Sequence, residues 1–329
     1  MRLLVLGGTR FLSRAVAAEA VARGHDVVCA CRGESGEVPD GARLVRWDRA
    51  AARSAPPVGP DGTGTPDAVV DVARHPSWVR AAVAAHPDAH WVFVSTVNVY
   101  PDSPVGGQTA ATAAVRASVH TDEDLSSAET YGAMKVGCEE AVTAGASSST
   151  IVRPGLVVGP DDPTGRFGYW PERLAEGGPT LAGGDPADVV QVIDVRDLAS
   201  WLVDAAERGT PGTYDAVGPP TAIGDLLAQV AHGVDATPQL VWVPSAFLAE
   251  HGVEPWAGDA GLPLWLPRPE HDGMMHRDAT ASYEAGLVPR PVAETARDTL
   301  AWLRTDPDAV RTGLSREHER RVLAAWQPR

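Results

Sequence analysis

Residues 2–23 read RLLVLGGTRFLSRAVAAEAVAR: an apolar run from Arg2 to Leu6, a glycine-bearing turn, then a stretch from Arg14 rich in alanine and valine. A short apolar run bounded by glycine reads as a buried strand, and the alanine-rich stretch suits a helix. Strand, tight turn and helix in that order begin a parallel α/β sheet. Without side chains at Gly7 and Gly8 the backbone can approach a pyrophosphate, and the helix start presents unpaired N–H groups to it. Thr9, Arg10, Phe11 and Leu12 complete this candidate cofactor cradle. Arg10 and Ser13 stand where a G-x-x-G-x-x-G turn has its second and third glycines, so an ordinary βα turn is the competing reading.

The same rhythm continues outward from this unit. Apolar runs near Leu3, Val27, Leu44, Val69, Val92 and Thr150 alternate with amphipathic stretches, which predicts βαβ units and a parallel sheet. Ser54 to Pro66, rich in proline and glycine, reads as a long loop. Asp102 to Glu129 reads as a second one, a lid or entrance segment with disorder as its competitor.

Tyr131-Gly-Ala-Met-Lys135 is a Y-x-x-x-K step inside a helical stretch, and Ser95-Thr96 closes an apolar strand upstream. Residues four apart share a helix face, so the Lys135 ammonium is expected beside the Tyr131 hydroxyl, favouring its phenolate. An unassisted tyrosine titrates near about 10 and is a sluggish proton carrier at neutral pH. Each residue also has a plain alternative: a strand end, a packed aromatic, a solvated charge.

Taken in order, the turn Gly7–Ser13, the strand Trp91–Thr96 running on to Val99-Tyr100, the Tyr131/Lys135 pair, Arg153-Pro154-Gly155 with Gly159-Pro160, and Ile193–Leu198 resemble the short-chain dehydrogenase/reductase superfamily. The resemblance is to its extended branch, the NAD-dependent epimerase/dehydratase family. It implies a Rossmann-like doubly wound parallel sheet over 1–155 and a smaller, mainly substrate-binding lobe over 156–329, with segments at about 188–217 returning to the first domain. It also implies a catalytic set of Thr96, Tyr131 and Lys135, with Lys135 on the nicotinamide ribose. Ser95 and Pro154 are expected at the cofactor, and Asp48 stands where relatives hold the adenine amine.

The reaction so implied is hydride transfer between a nicotinamide and a carbonyl or alcohol carbon of a small molecule, Tyr131 moving the proton. A sugar or sugar-nucleotide 4-epimerase using the same triad is the enzyme alternative. A non-catalytic NADP(H)-binding sensor or scaffold is the alternative of another class. Val97-Asn98 after Thr96 is not the Asp-Glu of the sugar-nucleotide dehydratases, which argues against that activity.

At the end of the second strand Cys31 is followed by Arg32, with no acid for a ribose diol, so NADP(H) is expected over NAD(H). Candidate substrate contacts are Asn98, Arg166, Trp170, Trp256 and Trp265, the tryptophans because they stand in proline- and glycine-rich segments. Arg166 and Arg173 are candidates for an anionic group.

Three cysteines in 329 residues and a net charge of −15 fit a cytoplasmic protein and disfavour nucleic acid. No secretory leader, membrane span or metal-ligand spacing is legible. A homodimer is possible, with the apolar residues of Ser315–Trp326 as one docking candidate.

Overall fold

The computed structural model describes residues 1–51, 64–125 and 127–326. The expected Ser54–Pro66 loop lies mostly outside the described residues.

Seven parallel strands form the central sheet: β1 (Arg2–Leu6), β2 (Asp26–Cys31), β3 (Arg43–Arg46), β4 (Ala68–Asp71), β5 (His90–Val94), β6 (Ser148–Pro154) and β7 (Gly212–Ala216). Their order is β7-β6-β5-β4-β1-β2-β3. This is the doubly wound sheet the sequence predicts. The chain reverses direction across the sheet between β1 and β4, which opens a crevice at the carboxyl ends of those strands.

Helices cover both faces. α1 (Phe11–Ala22) packs with α4 (Val195–Arg208) on one side, and α2 (Pro76–Ala85) with α3 (Ala128–Gly145) on the other. Leu3, Val5, Val27 and Val70 point into the first layer, while Leu4, Val28, Val69 and Phe93 point into the second. Burial on both faces is why the strands read as unbroken apolar runs rather than alternating ones. Cys29 belongs to the first layer and Cys138 to the second, both buried as free thiols.

Residues beyond β6, apart from those such as α4 and β7 that return to the sheet, build the second lobe around its own apolar cluster, which includes Phe167, Leu181, Leu227 and Val243. Trp170 and Trp265 belong to this cluster, with their indole N–H groups on Pro263 O at 3.0 Å and Ser245 Oγ at 3.2 Å. They are core residues and do not face a substrate, contrary to expectation. The reason is size: a small lobe held by prolines needs its largest side chains to fill its centre.

Three further expected features take these places in the structure. Arg173 is buried in the second lobe, held by Glu319, Gly177 O and Pro179 O, and does not border the active-site cavity. In the C-terminal helix Arg316–Ala325, Val322 is buried in the lobe, while Leu323 and Trp326 are half-buried, Trp326 meeting the Phe247 ring. The segment from Asp102 is tied down by Gly107 N–H on His276 O, Arg116 N–H on Val99 O and Val119 N–H on Ala133 O. Asp102 and Arg116 of this segment border the active-site cavity, at its entrance.

Candidate active site

Thr96 follows β5 and caps the short turn Val97–Val99, its Oγ1 accepting from Asn98 N–H at 3.2 Å. α3 lies directly on this turn. A Cβ at Gly132 would collide with the Asn98 carbonyl, so glycine is what lets the helix approach and bring Tyr131 to Thr96. We expect Gly132→Ala to lower kcat about a hundredfold by displacing Tyr131 by roughly an ångström. A steady-state assay beside a thermal melt checks this; unchanged kcat in a folded variant contradicts it.

Burial pushes the Tyr131 phenol up, and Arg74, a hydrogen bond with Thr96, and Arg166 pull it back. Lys135 is not the cation acting on it, which differs from the expected arrangement. Its ammonium donates instead to Ala73 O at 2.7 Å and Val94 O at 2.5 Å, and lies 4.4 Å from the centre of the Phe93 ring. The carbonyls at the ends of β4 and β5 have no ladder partner there, so they capture the nearest donor.

Burial pushes Lys135 down to about 8. The unfolded chain, with an ordinary lysine near about 10.4, therefore binds more protons between pH 8 and 10.4. Stability contributed by this group rises with pH across that window. Lys135 is the only lysine, against 27 arginines, so biosynthetic ¹³C labelling at Cε gives a single resonance. Its midpoint is expected near 8; a midpoint at the ordinary lysine value contradicts the burial.

The glycine turn adjoins this cluster. Gly7 and Gly8 take φ of +142° and +110°, and a Cβ on Gly8 would overlap the Cys29 side chain. Ser13, in place of a third glycine, accepts from Gly8 N–H at 3.0 Å and donates to Arg10 O at 2.9 Å. The hydroxyl thus closes the turn instead of blocking it. No side chain caps the α1 start, so its N–H groups stay open to a ligand.

One cavity of about 700 Å³ joins these parts, walled by Arg10–Ser13, Thr96, Tyr131, Lys135 and Pro154 on one side and by the second lobe on the other. Of the expected substrate contacts, Asn98, Arg166 and Trp256 border it. Gly7, Gly8 and Thr9 lie behind the wall, as part of the turn. Ser95 reaches the cavity, but its hydroxyl is committed to Glu139 at 2.5 Å. Arg32 is exposed with Glu34 at 3.5 Å, and Asp48 is exposed and accepts from Ala50 N–H; neither borders the cavity.

Sequence reading missed Arg74, Asp162 and the pair Met274-Met275, all in the cavity wall. Arg74 had a usable signal, since it follows the strand next to the switch point. The methionines arrive from the distant lobe, which no local pattern announces. Among the described residues no three His, Cys, Asp or Glu gather as metal ligands, and no helix is long and apolar enough to cross a membrane.

Residues 77–216 match the model of the NAD dependent epimerase/dehydratase family. Solved structures share the fold of this chain across nearly its whole length. UDP-glucose 4-epimerase of Thermus thermophilus, in complex with NAD, is 20% identical with a TM-score of 0.61, covering 94% of this chain and 100% of that one. UDP-N-acetylglucosamine 4-epimerase of Bacillus cereus is 13% identical, TM-score 0.62, covering 92% and 99%. The Bordetella bronchiseptica enzyme WbmH, in complex with NAD+, is 18% identical, TM-score 0.60, covering 92% and 98%. At these identities the likeness is one of fold. No curated protein matches the sequence.

Proposed function

We propose that this protein transfers hydride between a nicotinamide cofactor and a carbonyl or alcohol carbon of a small molecule. The observation that carries this reading is the meeting of Thr96, Tyr131 and Lys135 in one cavity that continues to the open start of α1. The cradle fits a dinucleotide: uncapped N–H groups at the start of α1 and Arg10 without a partner among the described residues suit a pyrophosphate. Arg10–Leu12 would hold that group, and Lys135 would meet the ribose beside it.

When bound, the nicotinamide supplies or accepts the hydride. Thr96 and Tyr131 hydrogen-bond the reacting oxygen, and the Tyr131 O–H gives its proton as negative charge grows there. In the reverse direction the phenolate takes the alcohol proton. Arg74 and Arg166 stabilise that phenolate.

The family match over residues 77–216 favours a second reading, a sugar 4-epimerase that oxidises and re-reduces one substrate. The two separate on consumption: net loss of reduced cofactor with a carbonyl panel supports the reductase, whereas product without loss supports the epimerase. We also propose NADP(H) over NAD(H), supported by Arg32 as the residue that directly follows β2. Fluorescence titration is expected to show tighter NADPH than NADH. Equal affinities, or tighter NADH, contradict it. A cytoplasmic setting, a small-molecule partner and no nucleic acid complete the proposal, supported by three free thiols and the acidic charge.

A further inference from the structure

Cations in this acidic chain are almost all matched. Among the described residues, the side chains of Arg10, Arg74 and Arg304 alone form no hydrogen bond or ion pair, and the first two line the active-site cavity. Arg166 joins them as a half-matched case. Its Nε donates to Thr164 Oγ1 at 3.2 Å, while its two terminal nitrogens carry no partner among the described residues. Its guanidinium lies 5.1 Å from the centre of the Trp256 ring, which fixes its plane. Asp162, the carboxylate beside it, is buried, turned to Thr164 and forms no ion pair with it. Arg166 is half-buried, so its terminal nitrogens lack full solvation as well.

We propose that the substrate carries a carboxylate, seated end-on across the two terminal nitrogens of Arg166 against Trp256, within a few bonds of the oxygen that Tyr131 serves. This deepens the hydride-transfer reading and rests on it for the reacting end of the molecule. Two parallel N–H donors match a carboxylate in bidentate geometry, and Thr164 on Nε leaves the fork presented end-on. A nearby wall of Leu266, Met274 and Met275 is apolar and offers a diphosphate no further donors. Arg74, on the Rossmann side of Tyr131, adds attraction for a single negative charge.

The test uses the full chain loaded with NADPH, titrated with malonate, with malonamide as its neutral counterpart, and with inorganic phosphate. Tryptophan fluorescence is read against Trp256→Phe, which isolates the indole stacked on Arg166. Malonate is expected to bind at least ten times more tightly than malonamide. Arg166→Gln should weaken malonate at least tenfold with the NADPH titration unchanged, and Arg166→Lys, which keeps charge without the fork, should fall between. Malonamide binding equal to malonate, undiminished malonate binding in Arg166→Gln, or phosphate binding more tightly than malonate would each overturn the carboxylate assignment. Malonate binding without reduction of any carbonyl sinks the hydride-transfer reading and leaves the anion seat standing.

Discussion

Replacing Tyr131 by phenylalanine is expected to lower kcat by about 10²–10⁴-fold while leaving cofactor affinity unchanged. The substitution removes one oxygen and keeps the ring that packs in α3. What is lost is the proton carrier hydrogen-bonded to Thr96, so the reacting oxygen would have to find its proton elsewhere. Arg74 and Arg166 cannot substitute, because guanidinium groups do not release protons at working pH. The pH profile gives a second check. Burial raises the phenol, so the protonated form that donates dominates at neutral pH, and carbonyl reduction should decline as the medium becomes alkaline. A Tyr131→Phe variant that retains the wild-type rate and profile contradicts the assignment.

The second large effect is structural. Arg277, from the second lobe, is buried and reaches into the sheet, where its Nη2 and Nε sit 2.8 and 3.0 Å from Asp215 Oδ2 at the end of β7. Its guanidinium stacks 3.8 Å from the centre of the Tyr100 ring. Tyr100 O–H donates to Asp215 Oδ1 at 2.6 Å and accepts from Arg153 at 2.9 Å, and Arg153 pairs with Glu139 of α3 at 2.6 Å. Two carboxylates, two guanidinium groups and a phenol therefore form one buried chain behind the active site. Arg277→Met leaves Asp215 buried beside only Tyr100, at an expected cost of about 3–5 kcal/mol. Burial already pushes the Asp215 carboxyl up, and loss of its cation would push it further. Urea denaturation should show the midpoint falling in Arg277→Met and recovering much of the loss in the double variant Arg277→Met with Asp215→Ala. A single variant as stable as wild type contradicts this account of the join.

How much of this was legible depends on how local each cause is. Four of the strands could be placed from sequence because a strand covered on both faces is largely apolar, whereas β3 and β6 carry arginines and hydroxyl residues and showed only shorter apolar stretches. Tyr131 and Lys135 could be placed on one helix face because four residues nearly complete a turn. Where the lysine ammonium goes was not legible, since the carbonyls of Ala73 and Val94 come from other strands. One signal did stand in the composition: a chain that uses arginine at every other cationic position keeps lysine here. The slot between the Phe93 ring and two carbonyls takes a compact ammonium and would not take a planar fork. Trp170, Trp256 and Trp265 occupy similar proline- and glycine-rich contexts, yet only Trp256 meets the cavity. Its backbone at φ +73° and its stack with Arg166 separate it from the other two, and both depend on the folded lobe.

The most direct measurement of the central claim follows the hydride itself. Reduced cofactor carrying deuterium at nicotinamide C4 is incubated with the protein and a panel of oxo-acids, and products are read by mass spectrometry. The account predicts one deuterium on the carbinol carbon with wild-type protein and none above background with Tyr131→Phe. Equal incorporation by both proteins, or firm cofactor binding with no transfer to any compound, would contradict it.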